Sequence, residues 1–196
     1  MNSDQTFRLA LLTIVALELP IAVYHRLRSH ASREPLDRRQ EGWFILLTLR
    51  PLGLAMWVGV LAFLIDPSYM AWSSVPLPVW MRWTGVGVCV IAGGLLAWTL
   101  CRLGRNLTDT VVTRRQHTLV TRGPYRFVRH PFYDAAALFV AGIALLAANW
   151  FFLLVGALVI ALLVRRTQTE EANLLARFGA PYQAYLDRTG RFLPKA

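Results

Sequence analysis

The chain reads as an all-α integral membrane protein of about five transmembrane helices, the last two folded into a C-terminal helical hairpin. Composition is the first reason: 56% of the 196 residues are hydrophobic and seven are Trp, and mean hydropathy is +0.43. The second is length, because several apolar runs approach or exceed the roughly 20 residues needed to cross about 30 Å of hydrocarbon. The third is the placement of charge. Of 21 basic residues, five lie between His25 and Gly42, seven between Arg102 and Arg129, and six from Arg165 onward, whereas residues 66–78 hold none.

The apolar runs cover residues 7–24, 43–65, 79–100, 133–148 and 150–166. The first lacks the basic start and small-residue cleavage site of a signal peptide, so it is taken as a span. Glu18 and Pro20 are expected to interrupt it, and Arg50 and Pro51 to interrupt the second. A charge is costly in lipid, so each should face protein, water or the interface, and Arg50 fits snorkelling from near a helix end. In the third run Trp80 and Trp83 stand near one end and Trp98 near the other, as in two aromatic belts. Gly85, Gly87, Gly93 and Gly94 there would permit close helix packing, as would the seven alanines of the fourth run between Ala135 and Ala148. The fourth and fifth runs are separated only at Asn149, too closely for a soluble loop.

With the N-terminus outside, five spans put all three basic segments on the cytoplasmic side and the Asn149 turn on the other. Membrane lipids then account for the net charge of +10, and nucleic acid is excluded as a partner because no recognition motif accompanies that charge. Cys89 and Cys101 have no metal-ligand spacing and read as packing residues, so no metal site is expected. Residues 26–41 read as a solvated or lipid-surface linker. The expected organisation is one structural domain, with residues 1–102 carrying the first three helices and 103–196 the hairpin and tail.

Chemistry is concentrated just before and just after the hairpin. His117 to Tyr133 crowd rings, cations and hydrogen-bonding groups where the chain should leave the membrane. After the hairpin, Arg166 and Glu170 share one helix face at an i,i+4 spacing, which is equally compatible with a simple exposed ion pair. Phe178-Gly179-Ala180-Pro181 reads as a helix stop, with Gly179 as cap and Pro181 as break, followed by a tail bearing Tyr182 and Tyr185.

Five groups of residues, in this order, carry a family resemblance: His117-Thr118-Leu119-Val120, Gly123-Pro124-Tyr125, Arg129-His130-Pro131-Phe132-Tyr133, Glu170-Glu171 followed by Leu174, and Phe178-Gly179 followed by Tyr182 and Tyr185. From about Leu103 to Pro194 the chain resembles the isoprenylcysteine carboxyl methyltransferases and related membrane phospholipid methyltransferases. The resemblance implies an S-adenosyl-L-methionine-dependent methyltransferase with a cytosolic cofactor pocket and no Rossmann domain, and the chain has no glycine-rich strand-to-helix fingerprint. On the family pattern His117, Thr118, Leu119, Val120, Tyr125, His130, Pro131, Phe132 and Tyr133 line the pocket. Glu170 reaches it from the last helix to pair with the cofactor ammonium, and Arg166 takes the substrate-contacting position.

A guanidinium suits a carboxylate acceptor, and an ionised carboxylate needs no general base. An amine or phenol would need one, for which His117 or His130 are candidates by chemistry. A His beside a Pro at a helix entry is equally a capping residue. Asp134, where the family often has a small residue, and Thr113, near a eukaryotic amide position, depart from the pattern. The implied acceptor is lipophilic, a carboxylate such as a prenylcysteine-like compound. A phospholipid amine is an alternative, and so is a membrane sterol-type reductase whose NADPH 2′-phosphate would suit Arg114, Arg115 or Arg122. A non-catalytic membrane partner is a third reading.

Overall fold

The computed structural model describes residues 3–30, 42–104 and 119–195. It contains six α-helices: α1 (Ser3–His30), α2 (Gly42–Ile65), α3 (Val79–Leu103), α4 (Pro131–Ala147), α5 (Trp150–Phe178) and α6 (Ala180–Arg188). Short 3-10 turns occupy Pro67–Ser73 and Gly123–Arg126. Each of the five apolar runs coincides with one of α1 to α5, the fourth extending one residue past α4 to Ala148. Four of these are long and apolar enough to cross a membrane, while α4, with 17 residues, reaches only about 25 Å at 1.5 Å per residue.

Two expectations about helix ends are corrected. Pro20 and Pro51 lie inside continuous helices; neither interrupts its span, consistent with the tolerance of membrane helices for proline. The tail beyond Gly179 is itself helical: Gly179 closes α5 at φ 57° with its N–H bonded to Leu175 O, and Pro181 sits in the first turn of α6. Pro181 thus starts a helix, since its missing N–H would have had no partner there.

In lipid the association of helices rests on close packing rather than on burial from water, and α3 meets α4 through glycines. A Cβ at Gly85 would lie 2.7 Å from Gly142 O, and one at Gly142 would lie 2.6 Å from Cys89 Sγ. Gly93 leaves room for the Glu18 carboxylate of α1, so the half-buried acid faces protein; Gly87 and Gly94 face open space instead. Arg50 is exposed. Cys89 is fully buried, whereas Cys101 is exposed and its Sγ lies 3.7 Å from His25 Nε2, so only the first is a simple packing residue. The exposed Trp80, Trp83 and Trp98 fit the outer surface of a membrane helix.

One end of the bundle is closed by Arg82 and Asn149. Arg82, on α3, donates to Asp4 Oδ1 of α1 at 2.7 Å and to Leu146 O of α4 at 3.0 Å, with its guanidinium 4.0 Å above the Phe7 ring. Asn149 accepts from Phe151 N, capping α5, and donates to Met70 O, each at 3.0 Å. The hairpin therefore turns in two residues, with Ala148 in the left-handed region and Val75 N bonded to Ala148 O. The cation-free segment and the hairpin turn share this end. Pro131 and the second half of α5 lie at the other end of the hairpin, and that is where the polar residues gather.

Candidate functional site

Pro131 fixes the first turn of α4, so His130 occupies the N-cap position. Its ring makes no capping bond. Instead His130 Nε2 lies 3.0 Å from Glu171 Oε1, and the ring stacks on Tyr133 with centroids 5.4 Å apart and planes 2° from parallel. The Tyr133 hydroxyl in turn donates to Glu170 Oε2 at 2.9 Å. Consecutive residues on a helix project about 100° apart, so Glu170 and Glu171 grip the two members of one stacked ring pair. His130 thus holds the N-cap position without capping through its side chain, which joins the ring and carboxylate cluster instead.

Glu171 is the most connected group of the site. Its side chain is about 10% exposed, and it accepts from Arg129 Nε at 2.9 Å and from Arg191 Nη2 and Nε at 2.5 and 3.1 Å, besides the His130 contact. A carboxylate held by two guanidinium groups is ionised and can only accept, so His130 carries its proton on Nε2. Arg129 also donates through Nη1 to Thr189 O and Leu186 O. The tail is fastened by backbone as well: Arg129 N bonds to Gly190 O at 2.9 Å and His130 N to Arg191 O at 3.1 Å.

Helix α6 backs this arrangement with Tyr182 and Tyr185, both buried. Burial pushes the Tyr185 phenol up to about 12, so it stays protonated and donates to Tyr125 O at 2.6 Å, holding the Gly123–Arg126 turn in place. Burial also raises the Tyr125 phenol, and the Glu170 carboxylate adds to the effect. Arg166 lies one turn before Glu170 on the same face of α5, beside the carboxylate that Tyr133 bonds, although 33 residues separate Tyr133 from Arg166 in sequence.

Leu119 and Val120 are half-buried on the approach to this turn, Pro131 is buried, and Phe132 is 37% exposed at the rim. His117 and Thr118 lie outside the described residues, as do Thr113, Arg114 and Arg115. Sequence reasoning passed over Arg191 and Thr189 and used Arg129 and Glu171 only as parts of motifs. A signal was present: two adjacent acids at the end of a membrane helix require cationic partners if they are buried.

Residues 85–176 match the profile of the isoprenylcysteine carboxyl methyltransferase family, a stretch that runs from within α3 to the last turn of α5. Over that stretch the chain is similar to the isoprenylcysteine carboxyl methyltransferases. Among its curated relatives, the cobalt-zinc-cadmium resistance protein CzcN of Cupriavidus metallidurans is 31% identical over 117 residues, which cover 58% of this chain and 54% of that protein. The protein-S-isoprenylcysteine O-methyltransferase of Schizosaccharomyces pombe is 29% identical over 114 residues, covering 57% and 48%. Protein-S-isoprenylcysteine O-methyltransferase B of Arabidopsis thaliana is 26% identical over 152 residues, covering 76% of each. The chain thus spans about half the length of the first two. A solved structure of the eukaryotic intramembrane Ras methyltransferase ICMT aligns with a TM-score of 0.52 at 19% identity, covering 94% of this chain and 67% of that one. That likeness shows a shared helical fold over nearly the whole chain. The family match gives no support to the reductase and phospholipid N-methyltransferase alternatives.

Proposed function

We propose that this protein is an integral-membrane, S-adenosyl-L-methionine-dependent methyltransferase acting on a lipophilic acceptor, a carboxylate such as a prenylcysteine-like compound, from the cytoplasmic side of the membrane. The contact of Tyr133 with Glu170 at the end of the hairpin remote from Asn149, inside the family-matched segment and with Arg166 one turn earlier on the same helix face, supports this reading. The donor set fits the cofactor. A carboxylate suits its ammonium, and the aromatic rings of Tyr125, Tyr133 and His130 suit adenine faces and a sulfonium cation.

The bound cofactor supplies an electrophilic methyl group on a sulfonium. Displacement at that carbon requires the acceptor oxygen to lie in line, so alignment and exclusion of water are the main sources of rate. Arg166 is placed to hold an acceptor carboxylate through its planar donors, and Glu170 to hold the cofactor. No residue needs to remove a proton from an acceptor already ionised at neutral pH. Leu119, Val120, Pro131 and Phe132 form the rest of the proposed pocket wall. The apolar part of the acceptor reaches the site through lipid, separately from the aqueous cofactor. The clustering of 18 cations away from the cation-free segment supports the cytoplasmic placement.

Binding of S-adenosylhomocysteine to the detergent-solubilised protein tests this reading. A thermal-shift stabilisation that grows with ligand concentration is expected, because a ligand selective for the native state stabilises it by mass action. Stabilisation by NADPH but not by S-adenosylhomocysteine would overturn it.

A further inference from the structure

Resting on the methyltransferase reading, we infer that Glu171 is a positioning residue that fastens the C-terminal segment over His130, so that docking of this tail and binding of the cofactor are one coupled event. Three separate parts of the chain meet at its carboxylate: Arg129 and His130 from the entry to α4, Glu171 itself from α5, and Arg191 from the tail. The tail is held largely by polar contacts. Val128 and Gly190 form an isolated parallel bridge, Arg129 N and His130 N bond to the carbonyls of Gly190 and Arg191, and the Arg129 guanidinium takes the Thr189 and Leu186 carbonyls. Its one ring, Phe192, lies 5.9 Å from His130.

The same carboxylate fixes His130 at the other side of the clamp. With Nε2 bonded to Glu171, the imidazole plane is set, and Tyr133 stacks on it while donating to Glu170. Arg191, Glu171, His130, Tyr133 and Glu170 thus form a continuous chain of contacts from the tail to the carboxylate assigned to the cofactor. A ligand that orders Glu170 and Tyr133 also favours the ring orientation that Glu171 holds. The tail, tied to that same carboxylate, is favoured with it. Contacts in one such network behave non-additively when removed.

The test uses the full chain in detergent, with hydrogen exchange followed by mass spectrometry over residues 189–195 in the presence and absence of S-adenosylhomocysteine. In the wild type the ligand should slow tail exchange. In Glu171→Gln the tail should exchange about tenfold faster without ligand, ligand-induced protection should vanish, and affinity for S-adenosylhomocysteine should fall about tenfold. Arg191→Ala, which leaves the Arg129 and His130 contacts of Glu171 in place, guards against a folding failure and should show the same loss of tail protection with a smaller affinity change. The double variant should be no worse than Glu171→Gln alone. A released tail with unchanged affinity, unchanged tail exchange in both variants, or fully additive effects would each overturn the coupling. Failure of the wild type to bind S-adenosylhomocysteine would overturn the methyltransferase reading and the coupling with it, whereas faster tail exchange in Glu171→Gln would still establish the clamp itself.

Discussion

Glu170→Gln separates charge from shape at the proposed cofactor site. The Tyr133 hydroxyl donates to Glu170 Oε2 at 2.9 Å, and the amide oxygen of Gln can accept the same bond, so the stacked His130–Tyr133 pair should remain in place. What is lost is the negative charge opposite a cationic ligand. Hydrogen bonds to charged groups contribute about 1.5–3 kcal/mol, and each 1.4 kcal/mol is tenfold in affinity, so S-adenosylhomocysteine should bind roughly tenfold to a hundredfold more weakly. Glu170 is only half-buried, which favours the lower part of this range because solvent screens the interaction. Calorimetric titration of wild type and variant in the same detergent measures it, with the unliganded melting temperature recorded for each. An affinity within twofold of wild type, with folding intact, would remove Glu170 from the cofactor site.

Arg166→Ala should leave S-adenosylhomocysteine affinity nearly intact and lower methyl transfer to a carboxylate acceptor, through lost acceptor binding or alignment; titration and turnover on one preparation distinguish this from a shared exposed ion pair, which would leave both unchanged. Gly142→Ala places a methyl 2.6 Å from Cys89 Sγ and 2.9 Å from Cys89 N, so it should destabilise the α3–α4 contact by about 1–3 kcal/mol, read as a lowered melting temperature that Gly87→Ala, facing open space, does not reproduce. With the native cysteines replaced, Ser74→Cys and Lys195→Cys, both exposed, should react with an impermeant maleimide from opposite sides of sealed vesicles; labelling from one side contradicts the topology.

The spans were legible because a membrane crossing needs a long apolar run, a signal that survives without any partner. Their ends were less so. Helix α5 continues past the last apolar residues at 164 to Phe178, an end that Gly179 marked, whereas the start of α6 immediately after it was hidden because Pro181 reads as a break until its place in a first turn is known. Pro20 and Pro51 misled for a related reason: proline breaks helices in water, where freed carbonyls find solvent, but in a membrane the helix is the only way to keep the rest satisfied. Within the site, Tyr133, His130 and Glu170 could be read from motif order, and the structure brings them together. The Glu171 cluster could not, since Arg129 and Arg191 lie 42 and 20 residues away and the bridge between Val128 and Gly190 leaves no periodic pattern. Gly85 and Gly93 pack against neighbours while Gly87 and Gly94 do not, a distinction of helix face that composition alone does not carry.

Transfer of a labelled methyl group tests the central claim most directly. Purified protein reconstituted in lipid vesicles is incubated with methyl-tritiated S-adenosylmethionine and a farnesylated cysteine bearing a free carboxylate. Base-labile tritium should accumulate on the acceptor with wild-type protein and fall sharply with Glu170→Gln and Arg166→Ala. No transfer above vesicles lacking protein, from a preparation shown to bind S-adenosylhomocysteine, would contradict the carboxylate assignment, and equal transfer by all three proteins would contradict the site.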